Sequence, residues 1–353
     1  LQTIDLSSYS IYLHQEGELP DWAGLINATA FSKVFILVDE HTRQHCLPLV
    51  LPELKHAIVL EIPSGEGQKN ILTSIALWEQ LLEHQADRNA VLINLGGGVI
   101  GDMGGMVAST FKRGISFIQV PTTLLSMVDA SVGGKLGIDH QGVKNVIGVF
   151  NNPDAIIVHP GFLQTLPANQ LRSGVAEICK HGLIADAAYW KYTVAELTKT
   201  APDWAACIAP SIHIKKLVVE QDPLEKGLRK ILNFGHTIGH AVETWSLQHD
   251  SEPLLHGEAV AIGMVAEAWL SHKYNGLPKH ELEEITTVLR SVFPPYTLTE
   301  SQVRACIQFM QHDKKNAGGR ILCSLLSGIG HCSYNCPVTE EDLFSALEYY
   351  QSA

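Results

Sequence analysis

The chain has 353 residues, 46% hydrophobic and 18% charged, with a formal net charge of −12. That length exceeds the reach of one hydrophobic core and predicts two domains, and the composition excludes a disordered chain. The acidic balance argues against a nucleic-acid partner, and neither a membrane span of roughly 18 apolar residues nor a signal-peptide pattern is present.

The first half alternates strands and helices. Lys33–Val38 is a buried-strand run ending at Asp39, and Ala57–Ile62 is another, closing at Pro63. Asn70–His84 has helical spacing, with Ile71, Ile75, Leu77, Trp78, Leu81 and Leu82 on one apolar face. Ala90–Leu95 reads as a strand, Gly104–Thr110 as a helix packed through small residues, and Phe117–Val120 as a short strand stopped by Pro121. Such alternation predicts a parallel sheet covered by helices. Beyond about residue 160, helical periodicity dominates in Leu171–Leu183, Ala187–Thr198, Ala205–Glu220, Gly235–Thr244, Glu258–Lys273 and Glu281–Val292. The expected plan is an α/β nucleotide-binding domain over 1–160 and a mainly α-helical domain over 161–353. Seven scattered cysteines read as reduced thiols of a cytoplasmic protein. Cys332 and Cys336 beside His331 lack a common zinc spacing.

Four constellations carry chemistry. Gly96-Gly97-Gly98-Val99-Ile100-Gly101-Asp102 follows a strand and opens a helix, with the G-x-G-x-x-G spacing that lets backbone approach a pyrophosphate. The acid usually found about twenty residues downstream is missing, while Asp39 ends an earlier strand. Ser64–Asn70 is a second Gly-rich turn entering a helix. Asp129 to Lys135, followed by Lys144-Asn145, combines lysines, an amide and glycines in a way that suits an anionic substrate. In Asn233–His240, His236 and His240 share one helix face at metal-ligand spacing, with no Glu between them. Glu177 and His256-Gly257-Glu258 offer further N/O ligands for a catalytic metal. Lys180, Lys215, Arg229 and the Asp313-Lys314-Lys315 group lie on or beside these helices and point to a doubly anionic ligand. Taken singly, each has an ordinary reading too: a turn, a solvated face, a hydrogen-bonded histidine.

Read together, GGGVIGDMGG, QVPTTLLSMVDASVGGK, AEICKHG, ILNFGHTIGHAVE and LHGEAVAIGM resemble the 3-dehydroquinate synthase family of the sugar phosphate cyclases, over about residues 33 to 330. The resemblance implies an N-terminal NAD-binding domain, a helical C-terminal domain and an active site in the cleft. It implies zinc, with cobalt as a substitute, on Glu177, His236 and His256, and so moves His240 from metal to substrate phosphate. NAD contacts would be Asp39, Glu66, Lys69, Gly97, Gly98, Val99, Asp102, Thr122, Thr123, Phe162 and Thr165, with Lys135 and Lys144 near both cofactor and substrate. Asp129, Lys135, Lys144, Asn145, Lys180, Lys215, Arg229, Asn233, His240 and Lys314 or Lys315 would hold the substrate, an anionic sugar phosphate. Within that set, Lys215 and Arg229 would take its carboxylate, and Lys135, Asn145, Asn233 and His240 its phosphate. Arg113 matches an arginine offered to the neighbouring subunit of a homodimer. The segment Thr244–Leu255 reads as a loop longer than the family form. Rival readings are a metal-dependent polyol dehydrogenase, a sibling cyclase whose substrate lacks a carboxylate, and a non-catalytic nucleotide-binding regulator.

Overall fold

The computed structural model describes residues 1–15, 17–141, 143–313 and 321–353. It divides into two compact units, Leu1–Pro167 and Ala168–Ala353, so residues 161–167 group with the first unit.

The first unit is built on strands β1 (Gln2–Asp5), β2 (Ser10–Leu13), β3 (Val34–Asp39), β4 (Ile58–Ile62), β5 (Val91–Gly96), β6 (Ser116–Pro121), β7 (Lys135–His140), β8 (Val143–Phe150) and β9 (Ala155–Val158). Seven of them form one sheet in the order β1-β2-β9-β6-β5-β3-β4, parallel except for the β1–β2 pair. Strands β7 and β8 make a separate antiparallel hairpin. The central strands are largely apolar, as burial on both faces demands, and β5 is buried along its whole length. The three short helices are α1 (Trp22–Ile26), α2 (Glu40–His45) and α3 (Leu47–Val50); the two long ones are α4 (Ile71–Glu83) and α5 (Gly98–Thr110).

Helix α4 starts where Asn70 accepts hydrogen bonds from the Leu72 and Thr73 amides, a cap that stabilises by about 1 kcal/mol. Its buried face runs through Ser74, Leu77 and Leu81, while Ile75 and Leu82 are exposed, which corrects the broader apolar face expected. At about 100° per residue those two lie on the flank of the stripe. Helix α5 begins at Gly98, inside the Gly-rich run, and sits unusually close to the sheet. A Cβ on Gly104 would lie 2.0 Å from Asn94 Oδ1, and one on Gly101 would lie 3.2 Å from Gln119 Oε1. Those glycines admit two buried amide side chains beneath the helix.

The second unit contains α6 (Ala168–Ala185), α7 (Ala187–Leu197), α8 (Trp204–Gln221), α9 (His236–His249), α10 (His256–Tyr274), α11 (Lys279–Val292), α12 (Glu300–Asp313) and α13 (Glu340–Ser352). The six helices read from periodicity are all present. An antiparallel hairpin, β10 (Ile321–Gly328) and β11 (His331–Val338), was outside that reading, and it carries the Cys332 and Cys336 pair. All seven cysteines are free thiols. The Thr244–Leu255 segment is not wholly loop: α9 continues to His249, leaving only residues 250–255 to connect it to α10. Among the described residues, no helix is long and apolar enough to cross a membrane.

Candidate active-site residues of the two units

In the first unit, β4 and β5 flank β3 on opposite sides, so the strand order reverses beside β3. In parallel α/β sheets, ligands bind at the carboxyl ends of strands at such a switch point. The expected cofactor residues fall there. Asp39 ends β3, Glu66 and Lys69 follow β4, Gly97 to Val99 follow β5, Thr122 and Thr123 follow β6, and Phe162 and Thr165 follow β9. Gly97 caps α5, which presents its amide terminus at the same edge.

Several of these side chains also have structural partners. Asp39 caps α2, accepting from the Thr42 amide at 2.7 Å. The Phe162 ring is buried and stacked on Trp22, so packing absorbs it. Lys69 is buried, and its Nζ donates to Asp102 Oδ2 and to Asn145 Oδ1, each at 2.6 Å. Burial would lower the Lys69 pKa, but Asp102 and Glu66 hold it above the usual lysine value. Asn145 lies on the β7–β8 hairpin with φ 52°, and its amide donates to Asp139 Oδ1 at 2.7 Å. Asparagine takes the left-handed region readily, and these two contacts fix its backbone and side chain. Lys144 lies 3.6 Å from Glu66, and Lys135 opens β7 with an exposed side chain. Asp129 sits in the wide turn Ser126–Ala130 ahead of that strand.

In the second unit, the candidate metal ligands sit on three different helices. Glu177 is fully buried on α6, His236 opens α9 and His256 opens α10. Glu177 Oε1 lies 3.5 Å from His236 Nε2 and 3.7 Å from His256 Nε2. Ligand atoms on tetrahedral bonds of 2.0–2.2 Å stand about 3.4 Å apart, so both distances from Glu177 are close to those around a zinc-sized ion. His240 joins them: its ring centroid lies 5.1 Å from that of His236 and 5.6 Å from that of His256. The ligand atoms of the three histidines lie within 4.8 Å of one another, a second donor set that shares two members with the first.

Glycines hold these helices together. A Cβ on Gly263 of α10 would stand 1.9 Å from the Gly235 carbonyl, and one on Gly257 would stand 2.0 Å from the Ser173 carbonyl of α6. Buried Glu267 of α10 accepts from the Gly235 amide at 2.8 Å and the Ile238 amide at 3.2 Å, and so clamps the start of α9. The His236 ring is turned by its Nδ1, 3.1 Å from the Phe234 carbonyl. Burial and Lys180 hold the His236 pKa well below its usual value. Burial would also lower that of His256, but hydrogen bonds with Glu177 and Glu243 push it up to about 10.

Three expected anion-binding cations are buried here: Lys180 on α6, Lys215 on α8 and Arg229 in the 3₁₀ turn Leu228–Asn233. Their elements pack against one another. Burying cations demands anionic company. Lys180 pairs with Glu177, and Arg229 donates to the Pro223 carbonyl at 2.7 Å. Asn233 donates to Glu225 at 2.8 Å. Arg113, of the first unit, is exposed with φ 70°. Lys314 and Lys315 lie outside the described residues. The carboxylates Glu225, Glu243 and Glu267 were not among the residues read from sequence; the one visible signal was Glu267, a lone charge within the apolar run of α10.

Family profiles described as 3-dehydroquinate synthase N-terminal and C-terminal match residues 59–173 and 174–316. The 3-dehydroquinate synthase of Parabacteroides distasonis is 39% identical over 342 residues, covering 96% of each chain. The 2-epi-5-epi-valiolone synthase of Streptomyces hygroscopicus, solved with NAD+ and Zn2+ bound, has a TM-score of 0.84 at 25% identity, covering 100% of this chain and 99% of its own. A 2-deoxy-scyllo-inosose synthase complexed with carbaglucose-6-phosphate, NAD+ and Co2+ shares the fold, with a TM-score of 0.87 at 24% identity over 99% of each chain.

Proposed function

The chain belongs to the 3-dehydroquinate synthase family, and from that premise we propose that it converts 3-deoxy-D-arabino-heptulosonate 7-phosphate to 3-dehydroquinate and inorganic phosphate. This is a phosphorus–oxygen lyase reaction of the shikimate pathway. The observation that carries the reading is the convergence of the Glu177 carboxylate on the Nε2 atoms of His236 and His256. Two imidazoles and a carboxylate are a donor set for catalytic zinc, with positions left for substrate. Zinc, or cobalt in its place, would supply Lewis acidity at a substrate hydroxyl, and NAD a reversible hydride acceptor.

The protein's own part is binding and orientation. Asp39, Glu66, Lys69, the Gly97–Val99 turn, Asp102, Thr122, Thr123 and Thr165 would hold the dinucleotide, with Phe162 supporting from within the core. Lys215 and Arg229 would take the substrate carboxylate. Lys135, Asn145, Asn233 and His240 would surround the phosphate, with Asp129, Lys144, Lys180 and Lys314 completing the set. The carbon beside a transient ketone would lose its proton as phosphate leaves from the next carbon; the ketone would then be reduced again by the returned hydride, and the opened ring would close by an intramolecular aldol step. Fixing the chain ends of one substrate is where large effective molarities arise, and the buried cations stabilise developing negative charge.

The chain would act as a homodimer. Arg113 sits in a left-handed run with Lys112 and Gly114, at φ 50°, 70° and 114°, a presentation that suits a residue aimed outward. Val143, Val146, Ile147 and Phe150 leave an apolar surface exposed on β8. The seven free thiols fit a reducing compartment such as the cytoplasm.

The test is phosphate release with zinc and substoichiometric NAD+, run on the keto-acid substrate beside sedoheptulose 7-phosphate and glucose 6-phosphate. Many turnovers per NAD+ with the keto acid alone are expected. Release from another sugar phosphate would reassign the chain to a sibling cyclase.

A further inference from the structure

We infer that Glu243 is the positioning residue for His256: it orients that imidazole for the metal and staples the connection that leads to it. The inference rests on the metal reading above. His256 is the least confined of the three ligands, its side chain 29% exposed against 11% for His236 and none for Glu177. It is the first residue of α10, reached through the short connection after α9. His236, by contrast, opens a helix whose start Glu267 clamps.

Glu243 meets this need from α9. It lies seven residues after His236 and three after His240, so the three share one helix face. Its side chain is 5% exposed, and its Oε2 stands 3.3 Å from His256 Nδ1, across the 13 residues that separate them. The ring is therefore bounded on both edges: Nδ1 faces Glu243 and Nε2 faces Glu177. A carboxylate accepting from Nδ1–H leaves the Nε2 lone pair for the ion and makes it a stronger donor. The backbone carbonyl that serves His236 is the weaker partner, so the more exposed ligand has the more strongly orienting one.

The neighbouring contacts favour the same role. Ser246 Oγ donates to Asp250 at 2.6 Å and accepts from the Leu254 amide at 2.8 Å, and Tyr296 OH donates to Asp250 at 2.8 Å. The connection is thus drawn together by Ser246, which bonds Asp250 at its start and Leu254 near its end, and is followed directly by the contact of Glu243 with His256.

The experiment compares zinc affinity, by chelator competition, in the wild-type chain, Glu243→Gln and Glu243→Ala, with thermal unfolding of each zinc-free protein alongside. Glutamine keeps an acceptor of the same reach and removes the charge. The expected results are one zinc per wild-type chain, affinity about 10-fold weaker in Glu243→Gln and up to about 100-fold weaker in Glu243→Ala, and a zinc-free Glu243→Gln that unfolds within a few degrees of wild type. If Glu243→Ala does not fold, Glu243→Gln decides. Wild-type zinc affinity in Glu243→Gln would overturn the inference while leaving the metal reading intact. Absence of zinc from the wild-type chain would instead remove the metal reading and this inference with it.

Discussion

The two units place their candidate residues by opposite means. In the first, most come from the segments that follow successive strands of one sheet, with a few more on the β7–β8 hairpin. In the second, they lie within buried helices whose backbones touch at glycines, and one helix clamps the next. The difference teaches that the first set should respond to substitution contact by contact, whereas the second should fail as a unit.

The strongest break of that comparison is at a proposed metal ligand. His236→Ala should remove stoichiometric zinc and lower phosphate release more than about 1000-fold, read by metal analysis and turnover. Next comes the scaffold without any ligand changed. Gly263→Ala places a Cβ 1.9 Å from backbone; a loss of about 3 kcal/mol or more in urea unfolding is expected, with zinc affinity falling too. Gly67→Ala, where nothing lies within 4 Å, should change stability by less than about 0.5 kcal/mol. Equal losses at the two glycines would erase the contrast.

In the first unit, Lys69→Met should weaken NAD binding by about 10-fold and also loosen Asn145, raising the substrate KM, while zinc content stays at wild type. Loss of zinc would show that the effect of Lys69 is not confined to its own contacts. The smallest effect sharpens the helical side. Burial tends to raise the Asp342 pKa, but hydrogen bonds from Tyr274, Lys273 and Thr339 hold it well below its usual 3.8. A depressed carboxylate stabilises the fold fully above its unfolded pKa and loses that effect as pH falls towards the folded one. Asp342→Asn should therefore lose about 1–2 kcal/mol at pH 7, the gap to wild type narrowing below about pH 4 in urea unfolding.

Much of the candidate site was nameable from sequence because its signals are local. The Gly96–Asp102 run and the His236–His240 spacing each fit within one or two helical turns. The same locality explains what was missed. Glu243 and Glu267 gain meaning only from the helix each one faces, which no spacing within a single helix displays. The β7–β8 hairpin escaped because β8 is exposed along most of its length and shows no clean alternation. Four-residue strands such as β9 are too short for any period to register. The Thr244–Leu255 segment looked like loop from its composition, yet α9 runs through half of it, since Ser246 packs into the core and carries the helix on.

The glycine contacts between α9 and α10, and between α10 and α6, also bear on how the protein matures. Residues 177, 236 and 256 are far apart in the chain, and no isolated helix presents more than a fragment of the donor set. On the proposed donor set, an ion would be captured only after three helices have closed to backbone contact. During refolding, zinc uptake should therefore lag behind the appearance of helix, so that its arrival times the last step of assembly.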